Sequence, residues 1–132
     1  EAAFVADELC PLVWEDCGRT PQRFIAVGLS LGAAPALTLG LLHPERIEVA
    51  LALSAARVPG LPLKAQVDRQ PSCRVVLAVG RGRLEAPEET AALAAALRRR
   101  AVPVQVETWG HDANHDWPTW GRMVRAQLDA LA

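Results

Sequence analysis

Short apolar runs alternate with longer amphipathic segments along this chain, an arrangement typical of strands separated by helices. Four apolar runs predict strands at 23–27, 47–53, 74–79 and 102–106. Four segments with helical periodicity predict helices at 3–16, 33–42, 87–100 and 117–131. Because the strands are apolar on both faces, we expect an α/β fold in which helices cover both faces of a parallel sheet of about four strands.

Glycine and proline residues mark the boundaries of these segments. Gly18 ends the first helix, in which Pro11 is an irregularity. His43-Pro44 ends the second helix, because proline disfavours helical geometry in the residue before it. Residues 55–72 are rich in proline and have no periodicity, which predicts a loop too short to form a large lid.

Length, composition and charge limit the possible functions. We expect residues 1–132 to form a single domain, since the chain has no room for a second core of ordinary size. With 51% hydrophobic and 22% charged residues, the chain is not disordered. A net charge of -1 argues against nucleic acid or an anionic membrane as a partner. No apolar run reaches the roughly 18 residues of a spanning helix and no signal peptide is visible, so we expect a soluble, cytoplasmic protein.

The cysteines and the first residue add two further expectations. The chain has three cysteines, Cys10, Cys17 and Cys73. They lack the spacing of a metal site, and their odd number does not fit a disulfide framework, which favours a reducing compartment. The chain begins with Glu1 and not with methionine. We therefore expect a processed product or a piece of a longer protein.

The clearest local motif is a G-x-S-x-G sequence at 28–32, between a predicted strand and a predicted helix. A strained turn at this place can present Ser30 as a nucleophile, and the amide groups of the following helix can stabilise an anion formed there. Gly28 and Gly32 lack a Cβ, which is expected to let the strand and the helix pass close to the serine. The alternative is a turn that only packs tightly or binds phosphate, although no GK[ST] or GxGxxG motif is present.

A serine nucleophile needs a base, and histidine has a pKa suited to that role near neutral pH. His43 lies at the end of a predicted helix, where capping is the expected role. His111 and His115 both lie in the loop after the last strand, at the carboxyl edge of the sheet, where Ser30 also emerges. Their spacing would suit a metal only on a helix, and Asp112 replaces the glutamate of an H-E-x-x-H motif, so we expect no metal site.

The histidine in such a site needs a carboxylate that orients it and stabilises its charged form. Glu85 follows the third predicted strand and is therefore carried to the same edge of the sheet. The chain order serine, acid, histidine is that of α/β-hydrolases. The competing carboxylates, each of which could equally be a solvated loop or helix-cap acid, are Asp68, Glu88, Glu89 and Asp112.

Taken together, these motifs resemble the esterase branch of the α/β-hydrolases, which includes the esterase D-like and mycolyltransferase-like proteins. The resemblance rests on residues 28–32 with the HPER sequence at 43–46, on the glycine-rich loop with Glu85, and above all on the HDWPTW sequence at 115–120. In that family, a segment of the form H-D-W-x-x-W carries the catalytic histidine just before the last helix. The resemblance therefore implies His115 as the base.

The two tryptophans of this segment, Trp117 and Trp120, are then expected to pack against the histidine loop and hold it in place. His111, four residues earlier, has no role in the family's pattern.

The resemblance covers nearly all of this chain but only the second half of the family's fold. An α/β-hydrolase sheet has about eight strands, and the four predicted here look like strands five to eight. The first half supplies the second oxyanion amide, so the backbone N–H of Leu31 is the donor expected from this chain. Loss of one donor costs on the order of a hundredfold to a thousandfold in rate. The strand at 23–27 would lie at an exposed edge, which predicts a homodimer through that edge or a truncated chain.

These patterns predict a serine hydrolase that acts on small, accessible carboxylic esters. Acyl transfer would use Ser30, His115 and Glu85, with Leu31 at the oxyanion, and would need no cofactor. The alternative is a truncated or degenerate hydrolase without turnover, which acts as a binding or oligomerising module through its exposed strand.

Overall fold

The computed structural model describes residues 1–18, 23–55, 58, 60, 61 and 72–131. Asp68 and most of the predicted loop at 55–72 lie outside these residues. The regular elements are, in chain order, α1 (Ala2–Phe4), a π-helical turn (Val5–Leu9), α2 (Cys10–Cys17), β1 (Phe24–Leu29), a 3-10 turn (Ser30–Gly32), α3 (Ala33–Leu42), β2 (Ile47–Leu53), β3 (Arg74–Val79), α4 (Pro87–Arg98), β4 (Val104–Thr108) and α5 (Trp117–Leu131).

The strands of the described chain form one parallel sheet in the order β1-β2-β3-β4. Leu29 at the end of β1 pairs with Leu53 at the end of β2, and Val79 at the end of β3 pairs with Thr108 at the end of β4. Because the strands run in the same direction, the loops that follow them emerge at one edge of the sheet. This is the edge to which the sequence assigned the candidate catalytic residues.

Buried side chains form one core on each face of the sheet. On one face, Leu37 of α3 and Leu97 of α4 are fully buried against the sheet. On the other face, Trp120 and Met123 of α5 pack against Leu51 and its neighbours. The prediction of a parallel sheet with helices on both faces is confirmed. Each fully buried Leu or Met contributes roughly 1.5–3 kcal/mol of transfer free energy.

Two strands differ in their bounds from the prediction. β1 continues through Gly28 to Leu29, directly before the motif serine. β4 begins at Val104, two residues later than predicted. The reason lies in the turn that follows α4, where Ala101 adopts a positive φ of 59° and the N–H of Val102 still donates to the carbonyl of Leu97. Val102 therefore belongs to this turn, although its side chain is buried like that of a strand residue.

The N-terminal helix deviates from a regular α-helix immediately before Pro11. A proline ring inside an α-helix collides with the carbonyl four residues earlier, and the π-helical turn at Val5–Leu9 widens the helix at this place. Gly18 ends the helix in the left-handed conformation, with a φ of 59°. The apolar side chains of this segment do not all reach the core, since Leu12 is 60% exposed.

The strand β1 lies at the edge of the sheet, as predicted. Its residues Ile25 and Val27 are 40% and 44% exposed, so this strand is not covered on both faces. Together with the N-terminal helix and α3, β1 lines an apolar groove with a volume of about 650 Å³. The placement of the edge is confirmed, whereas the homodimer through that edge stays a prediction. No helix in the described ranges is long and apolar enough to cross a membrane.

Candidate active site

Ser30 lies at the sharp turn between β1 and α3. Its φ of 52° falls in the left-handed region, which is uncommon for a residue other than glycine and which frequently occurs at functional sites. Gly28 lies directly beneath this turn, where a Cβ would collide with the carbonyl oxygen of Gly32 and lie 2.8 Å from the Cβ of Ala36. The absence of a side chain at Gly28 therefore allows β1 and α3 to meet closely enough to form the turn.

The expectation of the same steric role for Gly32 is wrong. A Cβ on Gly32 would have no neighbour within 4 Å, and the residue has ordinary helical dihedral angles, with φ -70° and ψ -13°. The Cβ position of Gly32 faces open space, although the carbonyl of Gly32 lies directly against Gly28 of β1.

The structure brings Ser30, His115 and Glu85 together. The Oγ atom of Ser30 lies 2.7 Å from Nε2 of His115, and Nδ1 of the same ring lies 3.2 Å from Oε2 of Glu85. An ionised carboxylate can only accept a hydrogen bond, so Nδ1 carries the proton and Nε2 accepts from the serine hydroxyl. We call these three residues the candidate triad.

The Glu85 carboxylate is almost completely buried, with 1% of its side chain exposed. Its Oε1 atom accepts hydrogen bonds from the hydroxyl of Ser54 at 2.7 Å and from the backbone N–H of Gly80 at 3.1 Å. Its other oxygen, Oε2, faces His115. The hydrogen bonds to these three partners replace those that the carboxylate would make to water, so its burial is not penalised. They also hold the carboxylate with one oxygen directed at the imidazole.

The competing carboxylates in the described part of the chain lie elsewhere. Glu88 and Glu89 are in the first turn of α4, where acidic side chains interact favourably with the helix dipole. The side chain of Asp112 is 79% exposed and lies 3.4 Å from the guanidinium of Arg122. Asp68 lies outside the described residues.

The remaining two histidines lie outside the candidate triad. His111 is exposed at the surface of the loop after β4. His43 ends α3, as predicted, and its Nδ1 atom lies 3.3 Å from the carboxylate of Glu45. In the described residues no three side chains of His, Cys, Asp or Glu form a group that could hold a metal ion.

Backbone hydrogen bonds join the loop that carries Glu85 to the loop that carries His115. The N–H of Gly82 donates to the carbonyl of Ala113 at 2.9 Å, and the N–H of His115 donates to the carbonyl of Arg83 at 3.0 Å. In addition, the N–H of Arg83 donates to the side-chain oxygen of Asn114 at 2.8 Å. These bonds fix the distance between the acid and the histidine independently of their side chains.

The glycines of the acid loop make this close contact possible. A Cβ on Gly80 would collide with the carbonyl oxygen of Ala113, and a Cβ on Gly82 would collide with the side-chain oxygen of Asn114. Two loops that start from neighbouring strands can therefore share hydrogen bonds along their backbones.

The two tryptophans of the histidine segment differ in exposure. Trp120 is 8% exposed, and its ring meets the His115 imidazole edge to face, with the centroids 5.0 Å apart and an interplanar angle of 81°. Trp117 contacts Trp120 at a centroid distance of 5.2 Å but is itself 74% exposed. The expected packing role is thus carried by Trp120, whereas most of the Trp117 ring faces solvent.

Comparison with known proteins identifies the family and the fold of the chain. The family model described as "Putative esterase" matches residues 2–130. The chain belongs to this esterase family. Its fold is that of the α/β-hydrolases, which the structural neighbours share. No curated protein gives a significant match.

Three similar solved structures show how much of the fold is present. A ferulic acid esterase superposes with a TM-score of 0.71 at 19% identity, covering 96% of this chain and 58% of that chain. The enterochelin esterase of Shigella flexneri gives a TM-score of 0.71 at 26% identity, covering 97% of this chain and 36% of that chain. The carboxylesterase of Bacillus cereus gives a TM-score of 0.66 at 18% identity, covering 95% of this chain and 58% of that chain. The chain therefore spans little more than half the length of the first and third of these proteins, and about a third of the second.

The site of this esterase-family chain contains hydrogen bonds that the sequence did not reveal. Glu85 accepts hydrogen bonds directly from the hydroxyl of Ser54 and from the amide of Gly80. The indole N–H of Trp120 donates to Ser54 Oγ and so reaches Glu85 through that hydroxyl. A single serine at the end of an apolar strand forms no motif. Its position next to the acid becomes visible only when β2 and β3 are aligned in the sheet.

Asp116 caps the N-terminus of α5 beside the histidine. Its Oδ1 atom accepts a hydrogen bond from the N–H of Thr119 at 2.9 Å, and the hydroxyl of Thr119 in turn accepts from the N–H of Asn114. The hydrogen bond from the Thr119 backbone is the main reason why the pKa of the Asp116 carboxyl lies below its usual value.

We expect Asp116→Ala to lower the free energy of unfolding at pH 7, and to do so less at pH 3. The pKa of Asp116 is lower in the folded chain than in the unfolded chain, so the ionised carboxylate stabilises the fold. This stabilisation is complete at pH values above the unfolded-state pKa. It is lost as the pH falls through the folded-state pKa. Urea denaturation of the original chain and the variant at both pH values measures the difference. An equal loss at pH 7 and pH 3 would contradict the role of the ionised cap.

Proposed function

We propose that this chain hydrolyses carboxylic esters by acyl transfer through Ser30, with His115 as general base and then general acid, and with Glu85 orienting the imidazole. The single observation that supports this most directly is the continuous line of hydrogen bonds from Ser30 Oγ through His115 to Glu85. The position of Ser30 in a strained turn before α3 supports the same role.

The proposed reaction begins when Ser30 Oγ attacks the acyl carbonyl carbon and His115 Nε2 accepts the hydroxyl proton. The resulting imidazolium is stabilised by the Glu85 carboxylate. As the tetrahedral intermediate collapses, the ester C–O bond breaks and His115 returns the proton to the departing alcohol. Water then attacks the acyl-serine while His115 Nε2 accepts a proton from it. As this second tetrahedral intermediate collapses, the bond between the acyl carbon and Ser30 Oγ breaks, His115 returns the proton to Ser30 Oγ, and the carboxylic acid is released.

The developing oxyanion would be stabilised by the backbone N–H of Leu31. This residue follows Ser30 in the 3-10 turn that leads into α3, so its amide lies at the N-terminal end of a helix. One oxyanion donor contributes on the order of a hundredfold to a thousandfold in rate.

Exposed apolar side chains near the candidate triad favour esters with an apolar acyl group as substrates. Among the described residues, the three most exposed large apolar side chains are Leu31 (91%), Leu84 (83%) and Trp117 (74%). Each lies within two positions of a member of the candidate triad in the sequence. An apolar acyl chain of a small ester would remove part of this surface from water, which contributes about 0.8 kcal/mol per buried CH₂ group.

We expect Trp117→Ala to lower kcat/KM for p-nitrophenyl butyrate more than for p-nitrophenyl acetate. The indole offers apolar surface that only the longer acyl chain covers, so the preference for butyrate should fall by up to about fourfold for each CH₂ group left unburied. Leu12→Ala is the matched control, since it removes an apolar side chain of 60% exposure in α2. An equal loss for both esters in Trp117→Ala would contradict contact with the acyl chain.

Hydrolysis of p-nitrophenyl acetate by the purified chain tests the proposed activity itself. We expect turnover that is reduced to background by Ser30→Ala and unaffected by Ser72→Ala, which removes the hydroxyl of a serine outside the site. Equal rates for the original chain and Ser30→Ala would contradict the proposal. That result would favour the alternative, a binding or oligomerising module without turnover.

A further inference from the structure

Ser54 follows β2 at the same sheet edge as the candidate triad. The residue is 2% exposed and has a φ of 52°, in the left-handed region that is strained for a serine. Its N–H donates to the carbonyl of Ala78 at 2.8 Å, which holds the backbone in this conformation. The chain therefore turns sharply at Ser54 and directs a buried hydroxyl away from the strand.

That hydroxyl lies between Glu85 and Trp120. Ser54 Oγ donates to Glu85 Oε1 at 2.7 Å, and the indole Nε1–H of Trp120 donates to Ser54 Oγ at 2.9 Å. An indole N–H can only donate and an ionised carboxylate can only accept, so the direction of both bonds is fixed. The Ser54 hydroxyl proton consequently points at the carboxylate.

The same tryptophan also contacts the histidine. The Trp120 ring meets the His115 imidazole edge to face at 5.0 Å, while its Nε1–H is bound to Ser54. Ser54, Glu85, His115 and Trp120 therefore form a closed ring of contacts. Within this ring, the hydroxyl of Ser54 and the amide of Gly80 fix Oε1 of the carboxylate and leave Oε2 for the histidine.

We infer that Ser54 is a positioning residue for the acid of the candidate triad, acting through Glu85 and itself oriented by Trp120. This inference rests on the proposed function. When His115 takes the proton of Ser30, its positive charge is stabilised only if the buried carboxylate is ionised and correctly directed. The Ser54 hydroxyl supports the second condition, because its hydrogen bond to Oε1 restricts rotation of the carboxylate and keeps Oε2 directed at the imidazole.

The kinetic test compares Ser54→Ala with Thr90→Val. Thr90 is also buried, and its hydroxyl donates to the carbonyl of Ala55, so Thr90→Val removes a buried hydroxyl that has no contact with Glu85. We expect Ser54→Ala to lower kcat for p-nitrophenyl acetate by about 10- to 100-fold with KM unchanged, the usual range for a hydrogen bond to a charged group. Thr90→Val should leave both constants unchanged. Full kcat in Ser54→Ala would overturn the inference.

A second variant separates positioning from folding. Glycine adopts the φ of 52° without strain, so Ser54→Gly removes the hydroxyl and leaves the turn intact. We expect the same loss of kcat in Ser54→Gly as in Ser54→Ala. Recovery of kcat in the glycine variant would overturn the inference, since it would mean that the loss in Ser54→Ala came from the backbone.

A double-mutant cycle tests whether Trp120 acts through Ser54. Trp120→Phe keeps an aromatic ring beside His115 but removes the Nε1–H. We expect Trp120→Phe to lower kcat in the original chain and to have little further effect in the Ser54→Ala background. Independent, multiplicative effects of the two substitutions would contradict the proposed path from Trp120 through Ser54 to Glu85.

A proton NMR measurement does not depend on turnover and therefore distinguishes failure of this inference from failure of the proposed function. We expect the proton between His115 Nδ1 and Glu85 to give a low-field signal, and the indole N–H signal of Trp120 would be assigned by its loss in Trp120→Phe. We expect Ser54→Ala to shift both signals and Thr90→Val to shift neither. If both signals shift in a chain without esterase activity, Ser54 positions the acid and the proposed function fails. If neither signal shifts, the positioning role is overturned whatever the activity.

Discussion

His115→Ala should lower kcat/KM for p-nitrophenyl acetate by about four to six orders of magnitude, the range found when one member of a triad is removed. The reason is geometric, since Nε2 of His115 lies 2.7 Å from the Oγ atom of Ser30 and would take its proton. Glu85→Gln should cost about 10⁴ in kcat, because the neutral amide cannot stabilise the imidazolium and can favour the wrong tautomer. Initial rates near pH 7.5 measure both effects.

The control for this prediction lies in the same loop. His111 is four residues before His115 and is exposed, so His111→Ala should leave kcat/KM unchanged. A loss in His111→Ala comparable with that in His115→Ala would mean that the base had been assigned to the wrong histidine. Because the members of a triad act as a unit, we further expect the double variant His115→Ala with Glu85→Gln to be hardly slower than His115→Ala alone.

The second large effect is expected on stability. Gly28→Ala should lower the free energy of unfolding by about 3 kcal/mol and abolish hydrolysis, because the new Cβ would collide with backbone atoms of Gly32 and with Ala36. A backbone carbonyl cannot rotate away as a side chain can, so β1 and α3 would have to separate. That separation would displace Ser30 from His115.

Gly32→Ala is the matched control within the same motif. A Cβ at this position has no neighbour within 4 Å, and alanine has the higher helix propensity, so the free energy of unfolding should stay equal or increase slightly. Urea denaturation of both variants measures the contrast. Similar destabilisation by the two substitutions would contradict the steric account of the turn.

Much of the fold could be predicted from the sequence because parallel strands buried on both faces produce continuous apolar runs. The bounds of β2 and β3 agree with the prediction, and so do those of α5. The sequence pattern places the start of β4 two residues too early, because Val102 is apolar and buried yet belongs to the turn after α4. An apolar pattern records burial, and it does not distinguish a buried turn residue from the first residue of a strand.

The candidate site could be predicted in part, from a motif, from the topology of the sheet and from the resemblance to a family. Ser30 was marked by its motif, and Glu85 by its position after a strand whose end meets the same sheet edge. The choice of His115 came from the resemblance to a family, since both histidines of the loop satisfied the topological argument. Ser54 was missed because its role depends on the pairing of β2 with β3 and on a positive φ, neither of which a single serine reveals.

The most direct test of the account is the reaction of the folded chain with a fluorophosphonate probe, read as intact mass and then mapped by peptide mass spectrometry. We predict a single adduct on Ser30 that forms in the original chain and in His111→Ala and is absent from Ser30→Ala and His115→Ala. An adduct on another residue, or no adduct on a chain shown to be folded, would contradict the assignment of Ser30 as an activated nucleophile.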